Sequence, residues 1–204
     1  MPDHPHEPQA PVDPAELAIV YHPHPVLHRR AEPVDAVTDE VRAVAERMIH
    51  LMYDAEGIGL AAPQVALPWR LFVCHVPPFE PGPGDPPSPD ATDPGAPPAS
   101  HPDPLVFINP VITDRSRDLE PMEEGCLSLP GIRGEVRRPT RITMQATGLD
   151  GEPFTLHAGG LLARCMQHEL DHLDGILILS KFARMDRMKT KREVEALEAK
   201  FVRA

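Results

Sequence analysis

The sequence predicts an α+β fold, and three observations carry that prediction. Val41, Val44, Met48, Leu51 and Met52 recur at three- and four-residue steps, as the apolar face of a helix does. Ile142, Met144 and Ala146 alternate with polar residues, and the alternation resumes at Phe154 and Leu156 beyond the turn residues Gly148-Leu149-Asp150-Gly151. Helical patterning returns over residues 161–173 and again near the end. The order is helix, strands, helix, strand, helix, not a regular βα alternation.

Each element follows from local chemistry. Residues 1–14 are Pro-rich with no hydrophobic period and are expected to form a disordered tail. Residues 17–34 (LAIVYHPHPVLHRRAEPV) break short apolar pieces with Pro, which predicts extended chain lying on a surface. Thr38 is the N-cap expected for the first helix, and Asp39 and Glu40 suit the positive end of its dipole. That helix should stop near Glu56 and Gly57. Residues 70–76 (RLFVCHV) and 105–109 (LVFIN) read as strands. The Pro-rich run between them, 77–104, is expected to be a long surface loop, and its simplest reading is a tolerated insertion, because loop length adds little closure entropy. Gly159-Gly160 punctuates the chain before the 161–173 helix, which Gly175 ends. Residues 176–179 predict a further strand, and 181–204 a charged helix with sparse apolar positions. The expected organisation is a tail (1–14), one domain (15–180) carrying the 77–104 insertion, and a C-terminal helix (181–204).

Composition narrows the function. A chain of 204 residues with 41% hydrophobic content can bury one ordinary core, and its 27 prolines crowd into the tail and the loop. A formal charge of −11 argues against broad nucleic-acid binding, which needs excess Lys and Arg. No run of about 18 apolar residues offers a membrane span. The N-terminus lacks the basic and apolar blocks of a secretory signal. Three cysteines, Cys74, Cys126 and Cys165, make a poor disulfide framework, so a reducing cytoplasmic setting is expected. The Ala-, Pro- and Arg-rich usage suits a GC-rich bacterial genome.

The strongest chemical signal is His168-Glu169-Leu170-Asp171-His172, an H-E-x-x-H motif in a helical stretch. Four helical residues advance about 400°, so both imidazoles stand on one face and can converge on one metal ion. Glu169, beside the first ligand, can reach a water at that ion without ligating the ion itself. The competing reading is chance spacing among eleven histidines. Against it, Leu161, Leu162, Cys165, Met166, Leu170 and Leu173 surround the motif, so the helix is expected to be largely buried. Burying three ionisable groups together costs several kcal/mol unless they are paired or metal-bound.

A third protein ligand is required. The third His that follows a Gly in some HExxH proteases is absent, the chain reading LDGILIL instead. Cys126, in Glu124-Gly125-Cys126-Leu127-Ser128, is the best donor: a thiolate suits zinc or iron, and Gly125 is expected to let the backbone approach the helix. The alternative for Cys126 is a buried structural thiol. Cys74 alternates within a strand and reads as core. Residues 57–64 (GIGLAAPQ) make a poor helix or strand but a good close-packed turn, and the Gln64 amide can donate to a developing oxyanion. A plain helix-to-strand connection has the same spacing.

Taken together, GIGLAAPQ (57–64), EGCLS (124–128) and QHELDH (167–172) resemble the three signature motifs of peptide deformylases in content, order and approximate spacing. The similarity runs from about Ile19 to Lys181, the Pro-rich loop excepted. The resemblance implies antiparallel strands packed around a central HExxH helix, with N- and C-terminal helices. It implies that Cys126, His168 and His172 bind one divalent metal, with water as fourth ligand. Iron(II) is frequent in the family, with zinc, nickel or cobalt as substitutes. It also implies that Glu169 is the general base, and that Gln64 through its side chain and Leu127 through its backbone N–H hold the oxyanion. The substrate would be an N-formylmethionyl peptide. Ile58, Gly59, Met122, Leu161, Arg164 and Cys165 fall at family positions around the methionine or the peptide backbone, and Arg133 matches a family arginine near the peptide. Glu124 and Arg138 match a family ion pair. Arg164 departs from the aliphatic residue that many members place there, and its guanidinium is expected to snorkel outward. Ala66 stands where Gly is frequent.

Two rivals remain at this stage. An HExxH endopeptidase would share the helix, but a Cys ligand upstream argues against it. A non-catalytic zinc-stabilised interaction domain usually has four protein ligands and no adjacent base. Residues 181–204 carry eight basic and four acidic side chains, locally +4, which suggests a transient ribosome contact or simply a solvated helix face.

Overall fold

The computed structural model describes residues 12–79 and 96–201. In chain order its elements are α1 (Asp39–Asp54), β1 (Gly59–Ala61), β2 (Leu71–Cys74), β3 (Leu105–Arg115), β4 (Leu119–Cys126), β5 (Leu129–Pro139), β6 (Arg141–Thr147), β7 (Pro153–Gly159), α2 (Gly160–Leu173), α3 (Arg184–Lys189) and α4 (Lys191–Phe201), with short 3₁₀ turns between them. Five strands form one antiparallel sheet in the order β1-β2-β3-β6-β7, and β4 and β5 form a separate two-stranded ribbon. This is the α+β arrangement expected.

The sheet is covered on both faces, which is why β2 reads as an unbroken apolar run. Leu71 and Val73 join Val41, Val44, Met48 and Met52 of α1, whereas Phe72 and Cys74 join Leu162, Ala163, Met166 and Leu170 of α2. Phe72 stacks on Phe107 with ring centroids 4.6 Å apart. The register of β3 against β6 shifts between Ile108 and Val111, and Pro110 sits at that irregularity, where its missing N–H breaks no ladder bond. The ribbon has its own core, in which Leu129, Ile132 and Val136 pack with Ile178 and Phe182, while Val194 and Leu197 of α4 lean on it.

Helix boundaries obey capping chemistry. Thr38 Oγ1 accepts from Val41 N at 3.3 Å, as expected for the α1 N-cap. Helix α2 ends in a Schellman arrangement: Gly175 (φ +71°) donates to His172 O and Ile176 donates to Asp171 O. Its start has no side-chain cap. Instead the returning limb of the Pro-rich loop supplies acceptors, Pro98 O to Gly159 N at 2.9 Å and Ala99 O to Leu162 N at 3.0 Å, with Thr140 O serving Gly160 N. A Cβ on Gly159 would lie 2.9 Å from Pro97 O, and one on Gly160 2.7 Å from Ala99 Cβ, so the Gly-Gly pair permits this approach. The described end of the insertion therefore caps the helix that bears the H-E-x-x-H motif.

Several expectations need correction. Residues 12–14 are packed rather than part of a free tail: Val12 N donates to Glu40 at 2.6 Å and Asp13 caps the turn Pro14–Glu16. Residues 1–11 of the expected tail and 80–95 of the loop lie outside the described residues. Gly59–Ala61 is a true edge strand, paired to β2. Tertiary pairing overrides its weak strand propensity. Residues 176–179 form no strand; Ile178–Ser180 is a 3₁₀ turn, with Ile178 buried in the ribbon core. The C-terminal helix is two helices, interrupted at Thr190. The ribbon β4–β5 had no counterpart among the expected strands.

Candidate metal centre and its cavity

Helix α2 presents His168 and His172 on one face with ring centroids 5.0 Å apart, both buried. The ribbon brings Cys126, at the end of β4, against them: its Sγ lies 3.2 Å from His172 Nε2. One donor atom from each of Cys126, His168 and His172 falls within 4.8 Å of the others. The loop 57–64 closes the opposite side. Gly59 leaves room for two side chains there: a Cβ would collide with Glu169 Oε1 and lie 2.8 Å from Cys165 Sγ, so one of them would have to move. A Cβ on Gly125 would meet the Arg133 side chain of the facing strand first, at 3.4–3.5 Å.

Hydrogen bonds orient the candidate ligands. His168 Nδ1 donates to Glu124 Oε2 at 3.1 Å, which turns Nε2 toward Cys126 and the candidate metal position. Glu124 is in turn gripped by Arg138, Nε to Oε1 at 2.6 Å and Nη2 to Oε2 at 2.8 Å, so the expected ion pair is formed. Arg138 also reaches Asp171 at 2.7 Å, and Asp171 accepts from Lys181 at 2.7 Å. Burial opposes the charge on Glu124, but the bonds from Arg138 and His168 outweigh it and hold the carboxyl far below its ordinary range.

The residues fit a divalent ion. One soft thiolate and two imidazoles are a donor set for zinc or iron(II). Burial disfavours a charged His168, yet its bonds to Cys126 and Glu124 and the nearby Glu169 push it up to about 10. The negative groups Cys126, Glu124 and Glu169 around His168 favour a cation at this point, and a bound metal would take the place of that proton. His172 is driven well below its usual range by burial and by the positive His168. Glu169 is pushed up to about 7, mainly by burial, and its Oε2 is buried without a hydrogen-bond partner among the described residues, as is His172 Nδ1.

Gln64 is fixed by its own turn. Its Oε1 accepts from Ala61 N at 2.8 Å, which turns the NH₂ toward Ser128 Oγ (3.2 Å) and Cys126 Sγ (3.6 Å). A cavity of about 630 Å³ gathers the expected residues: Ile58, Gly59, Gln64, Met122, Cys126, Leu127, Arg133, Leu161, Arg164, Cys165, His168 and Glu169 all line it. His172 stands behind, reached through Cys126.

The comparisons with known proteins agree with this geometry. The family described as Polypeptide deformylase matches residues 16–188. The chain belongs to the peptide deformylase family. It is 44% identical over 156 residues to peptide deformylase 2 of Gloeobacter violaceus, covering 76% of this chain and 73% of that one. It is 40% identical over 179 residues to the peptide deformylase of Agrobacterium fabrum, covering 87% and 94%. Among solved structures it is similar to the peptide deformylase of Ehrlichia chaffeensis, with a TM-score of 0.77, 33% identity, and coverage of 91% of this chain and 98% of that one.

Within this deformylase frame, two features were not foreseen. Arg164 does not snorkel outward. Its guanidinium is buried and donates to Glu124 Oε1 at 2.7 Å, Val136 O at 3.1 Å and Glu120 O at 2.7 Å. The N-terminal segment also reaches the cavity, where Ile19 and Tyr21 join the lining. Val20 N donates to Gln64 O at 2.8 Å and His22 N to Ser128 O at 3.0 Å, tying that segment to the cavity residue Gln64 and to the residue that follows Leu127. The sequence signal for this was the Pro-broken extended stretch itself, though nothing in it named the surface it would cover.

Proposed function

We propose that this chain hydrolyses the N-formyl group of formylmethionyl peptides, releasing formate and a free amino terminus. The observation that supports it most is the placement of Glu169, buried against Gly59 in the same cavity as Cys126, His168 and the Gln64 amide. A non-catalytic zinc site has no need of such a carboxylate.

Cys126, His168 and His172 would hold a divalent ion, which when bound would supply Lewis acidity toward water and the formyl carbonyl. Glu169 takes the proton of the attacking water and returns it to the departing amine nitrogen. Gln64 Nε2 and the Leu127 backbone N–H hold the formyl oxygen as negative charge gathers on it. Ile58, Met122, Leu161, Cys165 and the stem of Arg164 receive the methionine side chain, while Gly59 and Arg133 receive the peptide beyond it. We assign iron(II) as the native ion, with zinc, nickel or cobalt able to replace it. The cytoplasm is the expected setting, because Cys126 must stay reduced to bind.

The test is formate release from formyl-Met-Ala-Ser by anaerobically purified protein, with metal content read on the same sample. Formate that scales with bound metal supports the reading. Full metal occupancy with no formate, or cleavage of internal peptide bonds, contradicts it.

The exposed basic residues Arg184, Arg187, Lys189 and Lys200 are proposed as a transient ribosome contact. Truncation at Lys181 would be a poor test, because Phe182, Val194 and Leu197 pack on the ribbon core. Reversing those four charges to Glu should abolish salt-sensitive co-sedimentation with ribosomes and spare formate release. Unchanged co-sedimentation would sink the idea.

A further inference from the structure

The metal ligands come from two bodies. His168 and His172 ride on α2, and Cys126 rides on the ribbon. Arg164 lies where the two meet. It projects from α2 between Leu161 and Cys165, so its stem lines the cavity, and its head leaves the helix for the ribbon. There it grips β4 on either side of Met122, at Glu120 O and at the Glu124 carboxylate, and reaches β5 at Val136 O. Glu120, Met122 and Glu124 alternate along one strand, so Met122 is the cavity residue framed by the two bonds. The guanidinium fork makes these three contacts at once, which a point charge cannot do. With Arg164 included, Glu124 accepts from four N–H groups: two of Arg138, one of Arg164 and one of His168.

We propose that Arg164 is a positioning residue that fixes the ribbon against α2, setting both the hold of Cys126 on the metal and the width of the pocket between Met122 and Leu161. The second half of this rests on the deformylase reading; the first does not. With an aliphatic residue in its place, Glu124 keeps Arg138 and His168, but the bonds from α2 to Glu120 O and Val136 O are lost and β4 is freer to shift. A displacement of even about 1 Å at such a wall alters how a substrate is held.

Arg164→Leu and Arg164→Lys separate the two effects. A lysine can still offer Glu124 one charged donor, but it cannot bridge to Glu120 O and Val136 O together. Metal loss to a chelator, followed optically, is expected to be about 10-fold faster in R164L, within the range for removing an outer-shell partner, and close to wild type in R164K. The preference for formyl-Met over formyl-Phe peptides, read as kcat/KM, is expected to fall about 10-fold in both variants, chiefly through KM for formyl-Met. A residue serving only global stability would lower the melting temperature and leave both ratios alone. Metal loss and substrate preference within two-fold of wild type in R164L overturn the proposal, whatever its melting temperature; so does identical metal loss in R164K and R164L. Wild-type protein that releases no formate would strike the deformylase reading instead, and the chelator assay would still judge the positioning role.

Discussion

Helix α2 holds its two histidines by burial on nearly every side, whereas the β4–β5 ribbon holds Cys126 by charged cross-links to its neighbours. Around α2 the sheet supplies Phe72, Phe107 and Met144, and the spacing of His168 and His172 is set by the helix itself. The ribbon is outside that sheet, and its small core is shared with Ile178, Phe182 and the flank of α4. Two ion pairs cross between the ribbon and α2, Arg138 of β5 to Asp171 and Arg164 of α2 to Glu124, and Lys181 joins the first of them at Asp171. Ligand spacing within one helix is thus a local property, whereas spacing between the bodies is a long-range one. Substitutions far from any motif can move Cys126 without touching either histidine.

That contrast can be broken at its strongest point first. Cys126→Ala removes the ribbon's one candidate ligand among the described residues; metal affinity should fall by more than the about 10–100-fold expected for losing an outer partner, and turnover should vanish. Metal analysis after dialysis decides it, and full retention would mean that Cys126 is no ligand. Next comes Arg138→Ala, which strands Glu124 and Asp171 with weakened partners at a buried contact. A loss of about 3–5 kcal/mol in denaturant unfolding is expected. A loss below 1 kcal/mol would show that the ribbon is held by packing alone.

Gly160→Ala tests the other body. Its φ of +47° and the contact with Ala99 predict a loss of about 1–3 kcal/mol from strain at the start of α2. No loss would mean that the loop's return limb moves aside without cost. At the bottom of the scale, Lys191→Ala removes an exposed i,i+4 pair to Glu195 and should change stability by no more than about 0.5 kcal/mol; a larger change would reveal a role for α4 beyond covering the ribbon.

Much of the first body was legible in the sequence. The apolar steps of α1, the β6–β7 alternation and the Gly175 stop of α2 are local signals, and each appears where the pattern put it. The ribbon was hidden by its own chemistry. Along β5 the inward positions are Ile132, Gly134, Val136 and Arg138, so a glycine and an arginine interrupt the apolar period. Gly134 faces inward because the Phe182 ring lies over it, 2.8 Å from where a Cβ would sit, and Arg138 because it serves Glu124 and Asp171. Neither reason is visible within a short window. The same holds for Arg164, whose partner Glu124 stands 40 residues upstream, and for residues 176–179, since a short apolar run fits a strand or a buried turn equally well. At the site, the H-E-x-x-H spacing put two candidate ligands on one helix face by geometry alone, while Cys126 and Gln64 were candidates by residue type and needed the fold to bring them near.

The account stands or falls on Glu169, the buried carboxylate that distinguishes a reaction centre from a metal-braced scaffold. Glu169→Gln, which keeps the side chain's shape, should be measured for bound metal and for formate release from formyl-Met-Ala-Ser in one preparation. Wild-type metal content with turnover reduced by at least about 100-fold is the expected result. Loss of the metal along with activity, or activity within a few-fold of wild type, would contradict it.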